Sequence, residues 1–202
     1  MNTLEAVNLI LRKAGGMQAK SLDTDGTSNV AEAERCLDEE ELRIQTMGWA
    51  YNTVHDDELT PDGDGYIHVP TGTLTIDSDT IDKSRNVTQR GGRLYDLDNN
   101  TYDFGDDTLR VTYVLRFDFD CIPLPVRIYI ALQAAWTFYT NKPDGQQKAI
   151  RLATLKADLD RAQTQAVIYD DASDNNNVLD SASARKLRGR SSNNRTVIDE
   201  NG

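Results

Sequence analysis

A chain of 202 residues can bury one sizeable core with a small annex, but not two large independent domains. Hydrophobic residues are 38% and charged residues 27%, a soluble globular composition, and no apolar run approaches the roughly 18 residues of a membrane span. The net charge of −11 is uneven: residues 1–180 carry −14 and residues 181–202 carry +3, so the body repels a phosphate backbone.

The first segment predicts a short helix. Asn2 caps it, Glu5 stands where a capping box needs it, and Leu4, Val7, Leu11 and Ala14 share one face. No basic stretch precedes an apolar block, so no secretory leader is expected. Gly15 and Gly16 end this helix, and a loop with Asp23, Asp25 and Gly26 follows. A second helix is expected from Ser28 or Asn29 to Met47, with Val30, Ala33, Leu37, Ile44 and Met47 on its apolar side. Glu32, Glu34, Asp38, Glu39 and Glu41 lie largely elsewhere on its circumference, while Glu40 falls on or beside that side and leaves the stripe imperfect.

From Trp49 to Asp120 turn formers multiply between short β-branched and aromatic stretches, which predicts a small antiparallel β region. Its clearest strand is Leu109 to Phe117, where Leu109, Val111, Tyr113, Leu115 and Phe117 face one way and Val114 breaks the alternation. Val87 to Tyr95, around Gly91-Gly92, predicts a tight hairpin.

Helices return at Pro123-Leu124-Pro125. Val126 to Tyr139 is apolar on nearly every side, so that helix is either central in a bundle or clamped between subunits; Tyr129, Trp136 and Phe138 are its candidate subunit-packing residues. A last long helix, about Gln146 to Asp170, carries Leu152, Leu155, Leu159, Ala162, Ala166 and Tyr169 on one face, with Lys156 and Asp160 spaced for an ion pair. The expected class is α+β: mainly an antiparallel helical bundle (1–48 and 122–171), a β-rich insertion (49–121), and an extended tail (172–202).

Motifs for chemistry are scarce. There is no nucleophile elbow, phosphate-binding loop, dinucleotide fingerprint or His-Glu-x-x-His. His55 and His68 lie in the β region with no nucleophile placed beside them, so both read as surface histidines. Cys36 and Cys121, far apart in apolar patterns, read as reduced buried thiols, and the scattering of two His and two Cys predicts no zinc site. A calcium loop starting at Asp23 would place Glu34 last but Ser28 where glycine belongs; one starting at Asp62, with Asp64, fails at both places. No catalytic residue, metal or cofactor is expected. The basic tail (Arg185, Lys186, Arg188, Arg190, Arg195) suits either phosphates or an acidic protein groove; the acidic body favours the protein.

Gly48-Trp49-Ala50-Tyr51-Asn52, directly after the second helix, resembles a junction of the tail tubular protein A family of short-tailed phages. Val69-Pro70, Leu74-Thr75-Ile76-Asp77, Arg90-Gly91-Gly92-Arg93-Leu94-Tyr95-Asp96 with Tyr102 and Phe104, and Leu124-Pro125-x-Arg127-x-Tyr129-Ile130 leading to Ala134-Ala135 resemble it in the same order. The resemblance spans about residues 3 to 170. It implies a homo-oligomeric, dodecameric ring beneath the portal protein. The ring extends the DNA ejection channel, carries the tail tube (nozzle) protein, and has tail fibres near that joint. DNA passes without specific binding, no membrane is bound, and there is no enzyme activity. The five basic tail residues are the candidate portal contact. The competing readings are a nucleic-acid-binding protein using the basic arm, and a hydrolase using His55 or His68.

Overall fold

The computed structural model describes residues 1–22, 28–78, 85–142 and 148–173. Helices α1 (Thr3–Lys13) and α2 (Asn29–Gln45) come first. Five strands follow: β1 (Thr53–Leu59), β2 (Thr73–Ser78), β3 (Val87–Arg90), β4 (Arg93–Asp96) and β5 (Leu109–Leu115). A 3-10 turn, Phe119–Cys121, leads into α3 (Leu124–Thr140) and α4 (Lys148–Ser173).

Local chemistry accounts for the helix ends. The Asn2 side chain accepts from the Glu5 amide while the Glu5 carboxylate accepts from the Asn2 amide, both at 2.9 Å, which is the expected capping box. Ser28 caps α2 by accepting from Val30 and Ala31. Pro125 sits in the first turn of α3, where its missing N–H costs nothing.

The first core is helical. Ile10, Leu37, Ile44, Val126, Ile130 and Phe138 are fully or almost fully buried in it. Helix α3 is its centre and packs on α1, α2 and α4, which explains why nearly every side of it is apolar. Helix α4 meets α3 through a face that includes buried Ala162 and Ala166, and Ala131, Ala134 and Ala135 of α3 are buried in the same core. Small side chains on both helices let the backbones approach closely.

The second core belongs to the strands. Antiparallel β1-β5-β2 forms one sheet and the β3-β4 hairpin another. Ile67, Val87, Leu94, Phe104, Leu109, Val111 and Tyr113 fill the space between them. Strand β5 shows the expected alternation up to Tyr113, and Val114 is buried too. Its Cγ2 lies where Gly48, at φ +76°, leaves room: a Cβ there would stand only 3.3 Å away. The predicted hairpin pairs Val87 with Asp96 through Arg90 with Arg93, around Gly91-Gly92.

Helix covers about 47% of the described chain beside two small antiparallel sheets, so the fold is mixed α+β. One expectation needs correcting. Cys36 is buried but Cys121 is exposed, because Phe119 and Ile122 on either side of it take the inward positions.

Candidate functional site

The residues with the most specific placement lie where the helical layer meets the sheet. Gly48 ends the overrun of α2 with a left-handed residue, and Trp49 turns back onto the core. The Trp49 indole Nε1 donates to the Ile44 carbonyl at 2.7 Å, and its ring meets Tyr129 edge-on at 6.3 Å. Asn52, 1% exposed, accepts from the Trp49 amide at 2.8 Å and donates from Nδ2 to the carbonyls of Gln45 and Leu115, each at 3.0 Å. Gln45, fully buried, donates to the Phe117 carbonyl at 2.8 Å and accepts from the Phe117 amide at 2.9 Å. From the other side of the helical layer, Asp170 accepts from the Ala50 amide at 2.7 Å. One buried Gln, one buried Asn and one carboxylate therefore fasten α2, β1, the end of β5 and the end of α4 together.

Two acidic residues stand beside this joint. Glu40 accepts from Arg43 Nε at 2.6 Å and from Thr137 Oγ1 at 2.7 Å, so its position next to the apolar stripe is satisfied between α2 and α3. Glu41 is 4% exposed and accepts from Gln45 Nε2 at 3.2 Å; its nearest cation is Arg116, at 3.8 Å. Burial pushes the Glu41 carboxyl up to about 7; Arg116 opposes the rise, while Asp38 and Asp118 add to it. The Tyr51 hydroxyl is buried, finds no hydrogen-bond partner among the described residues, and is held well above the ordinary phenol range by burial, with Glu41 and Asp170 adding to it.

The β loops carry a second polar cluster of a different kind. Asp62 accepts from the amides of Asp64 and Tyr66 and is paired with His68 Nε2 at 2.7 Å. This is a turn held by its own backbone, and Gly65 (φ +80°) is required there because a Cβ would stand 2.2 Å from Asp103 Oδ1. Buried Asp96 binds the amides of Asp98 and Asn99 and the Asn99 side chain; burial alone would raise its carboxyl, but these donors hold it below the usual range. Arginines lie over aromatic rings nearby, Arg90 over Tyr95 at 3.8 Å and Arg93 over Tyr66 at 4.7 Å.

Of the three side chains expected at a subunit contact, Tyr129 and Phe138 are 5% and 2% exposed within the single chain. Their burial needs no second subunit, since α1, α2 and α4 already surround α3. Trp136 is half-buried against the same core. Exposed apolar side chains on α4 are Ile150, Val167, Ile168 and Tyr169, the last of which the sequence pattern sets on the packing face; Leu42, Met47 and Leu124 are exposed on or beside α2 and α3. Arg185, Lys186, Arg188, Arg190 and Arg195 lie outside the described residues, as do Asp23 and Asp25. His55 and His68 are both exposed and lie apart from the joint. Among the described residues no group of three or more His, Cys, Asp and Glu could hold a metal ion, and no helix is long and apolar enough to cross a membrane.

The helical pattern sets Glu41 away from the apolar side of α2, yet it is buried, and the pattern does not single out Gln45, which is buried too. The signal was present: with Leu37 they recur at a spacing of four on the buried face of α2, where polar residues need partners from another element.

Buried polar groups hold the two cores in one relation, and the outer helix keeps apolar positions bare. The chain belongs to the tail tubular protein family, whose sequence profile matches residues 4–182. Over 145 residues it is 29% identical to tail tubular protein A of Klebsiella phage KP34, a match covering 72% of this chain and 75% of that protein. The family is one of structural virion tail components and not of enzymes, which places this chain in the virion tail.

Proposed function

We propose that the chain is the adaptor subunit of a short-tailed phage: a dodecameric ring that joins the portal protein to the tail tube (nozzle) protein and extends the DNA ejection channel. Tail fibres attach near the lower joint. Residues 1–48 and 122–171 form the body of the ring, 49–121 form a β module carried on it, and 172–202 contact the portal through Arg185, Lys186, Arg188, Arg190 and Arg195. The observation that carries this reading is the family match across residues 4–182.

Three features support it. Helix α4 packs on α3 while leaving Ile150, Val167, Ile168 and Tyr169 exposed, as a lateral contact between subunits requires. Half-buried Trp136 is the one of the three packing candidates still accessible for such a contact. The charge of −14 over residues 1–180 suits a wall past which DNA slides without adhering. Negative-stain images of the purified chain, alone and mixed with portal rings, test the proposal. Closed rings capping the portal are expected; a chain that stays monomeric and leaves the portal bare overturns it.

A further inference from the structure

The β3-β4 hairpin turns one face to the β core and the other away from it. Val87 and Leu94 belong to the core; by strand alternation Thr88 and Arg90 on β3, and Arg93 and Tyr95 on β4, share the outward face. Arg90 lies over the Tyr95 ring at 3.8 Å and Arg93 over the Tyr66 ring at 4.7 Å. Tyr102, 38% exposed, meets Tyr95 edge-on at 4.8 Å. Arg85 pairs with Asp107, whereas neither Arg90 nor Arg93 has a carboxylate within ion-pair distance among the described residues. A ring face holds a guanidinium in place without using its N–H donors, so both forks stay open to carboxylates. Exposed arginine and tyrosine together are the side chains that carry binding energy in protein contacts. Nucleic acid is a poor occupant for this face, because residues 1–180 carry −14 and repel a phosphate backbone.

We propose that this arginine–tyrosine face docks on strand β1 of a second copy of the chain. The inference rests on the proposed ring and names one of its lateral contacts. Strand β1 lies at the opposite end of the β module: the sheet runs β1-β5-β2, and β3 of the hairpin neighbours β2. Copies related by the rotation of a closed ring meet through opposite flanks, which brings the hairpin of one copy to β1 of the next. The charges are complementary. Strand β1 holds Asp56, Asp57 and Glu58 with no Lys or Arg, and Asp56 and Glu58 are exposed. Asp57 accepts from the Tyr113 hydroxyl, and Arg110 stands opposite Glu58 in the register, so the strip remains negative. Among the described residues β1 also has no strand partner on its outer side, so an incoming arginine meets bare backbone carbonyls as well as carboxylates.

Sedimentation velocity and counts of closed rings in negative stain test this, with the full chain and portal rings. The variants are Arg90→Glu/Arg93→Glu, Asp56→Asn/Glu58→Arg, and all four substitutions together. Asparagine is chosen at position 56 because the backbone there is left-handed, φ +56°, which asparagine tolerates. Each pair alone should raise the concentration needed for ring closure at least about tenfold, with thermal unfolding showing that the subunit is folded. The four together should return it to within about threefold of the parent, since the charges are then exchanged across the contact. Asp56→Asn/Glu58→Arg leaves the hairpin untouched, so it decides the matter even where losing both cation–ring contacts unfolds the module. Unchanged closure in that variant overturns the proposal. A folded fourfold variant that fails to recover also overturns it, and assigns the hairpin to some other acidic surface. A parent chain that forms no ring with the portal overturns the ring itself, and this contact with it.

Discussion

At the scale of single residues, the joint concentrates its energy in a few side chains. Gln45 satisfies both the N–H and the C=O of Phe117. Gln45→Ala leaves two groups unpaired in a mostly buried place, and each such group costs about 1–3 kcal/mol. A loss of about 2–4 kcal/mol in denaturant unfolding is therefore expected. Tyr51 is the opposite case. Its hydroxyl is buried without a partner, so Tyr51→Phe is expected to leave stability unchanged or raise it by about 1 kcal/mol. Glu41 makes the joint sensitive to pH. Its folded pKa, about 7, lies above its ordinary 4.5, so the folded state holds the proton more tightly than the unfolded chain does. Stability from this group is complete below about pH 4.5 and declines as pH rises towards 7; at pH 8 the buried carboxylate costs its full amount. Glu41→Gln should raise the melting temperature at pH 8, by on the order of 2 kcal/mol in stability, and do little at pH 4.5. An equal effect at both pH values would show that the carboxylate is not charged at a cost.

Elements were legible in proportion to how local their causes are. The capping box of α1 lies within four residues, and the hairpin at Gly91-Gly92 is written in two glycines, so both stand where the sequence put them. Strand β1 was not readable in this way. His55, Asp56, Asp57 and Glu58 have poor β propensity, and the register shifts between Val54 and Asp57, with Asp56 at φ +56°. Pairing with β5 and the bond from the Tyr113 hydroxyl to Asp57 at 2.8 Å hold it as a strand. The all-apolar run of α3 was compatible with a central helix or a subunit contact, because periodicity counts apolar faces without saying what covers them. The joint was visible only as a string of residues; its bonds link α2 to Phe117, 72 positions away, and no local pattern reports that. The alanine contact between α3 and α4 gives this scale its own prediction. Ala166 is fully buried, so Ala166→Leu must push the helices apart, at a cost of about 1–3 kcal/mol. Thermal unfolding should show that loss. Gln163→Leu, one turn away on the exposed side of the same helix, is the control and should leave stability nearly unchanged.

For the whole molecule, the issue is which surface is left for neighbours once each core is closed. The helical core already encloses Tyr129 and Phe138, so an interface must use side chains the fold leaves bare. Ile168 on α4 is 62% exposed and Ile150 is 71% exposed, on a helix whose inner face is occupied by Leu155, Leu159, Ala162 and Ala166. A charge at position 168 or 150 therefore costs the isolated subunit almost nothing, since solvent already reaches both. Within a ring the same charge would be desolvated at every copy of a repeated interface, and the penalty recurs around the closure. Ile150→Glu and Ile168→Glu should each leave the melting temperature of the monomer within about 2 °C of the parent, since surface changes of this kind stay within about 0.5 kcal/mol. Ring closure should fail or need a higher protein concentration, read by sedimentation velocity and by counting closed rings in negative stain. Rings that close normally with both substitutions would exclude the outer face of α4 from the lateral contact and shift attention to Trp136 on α3.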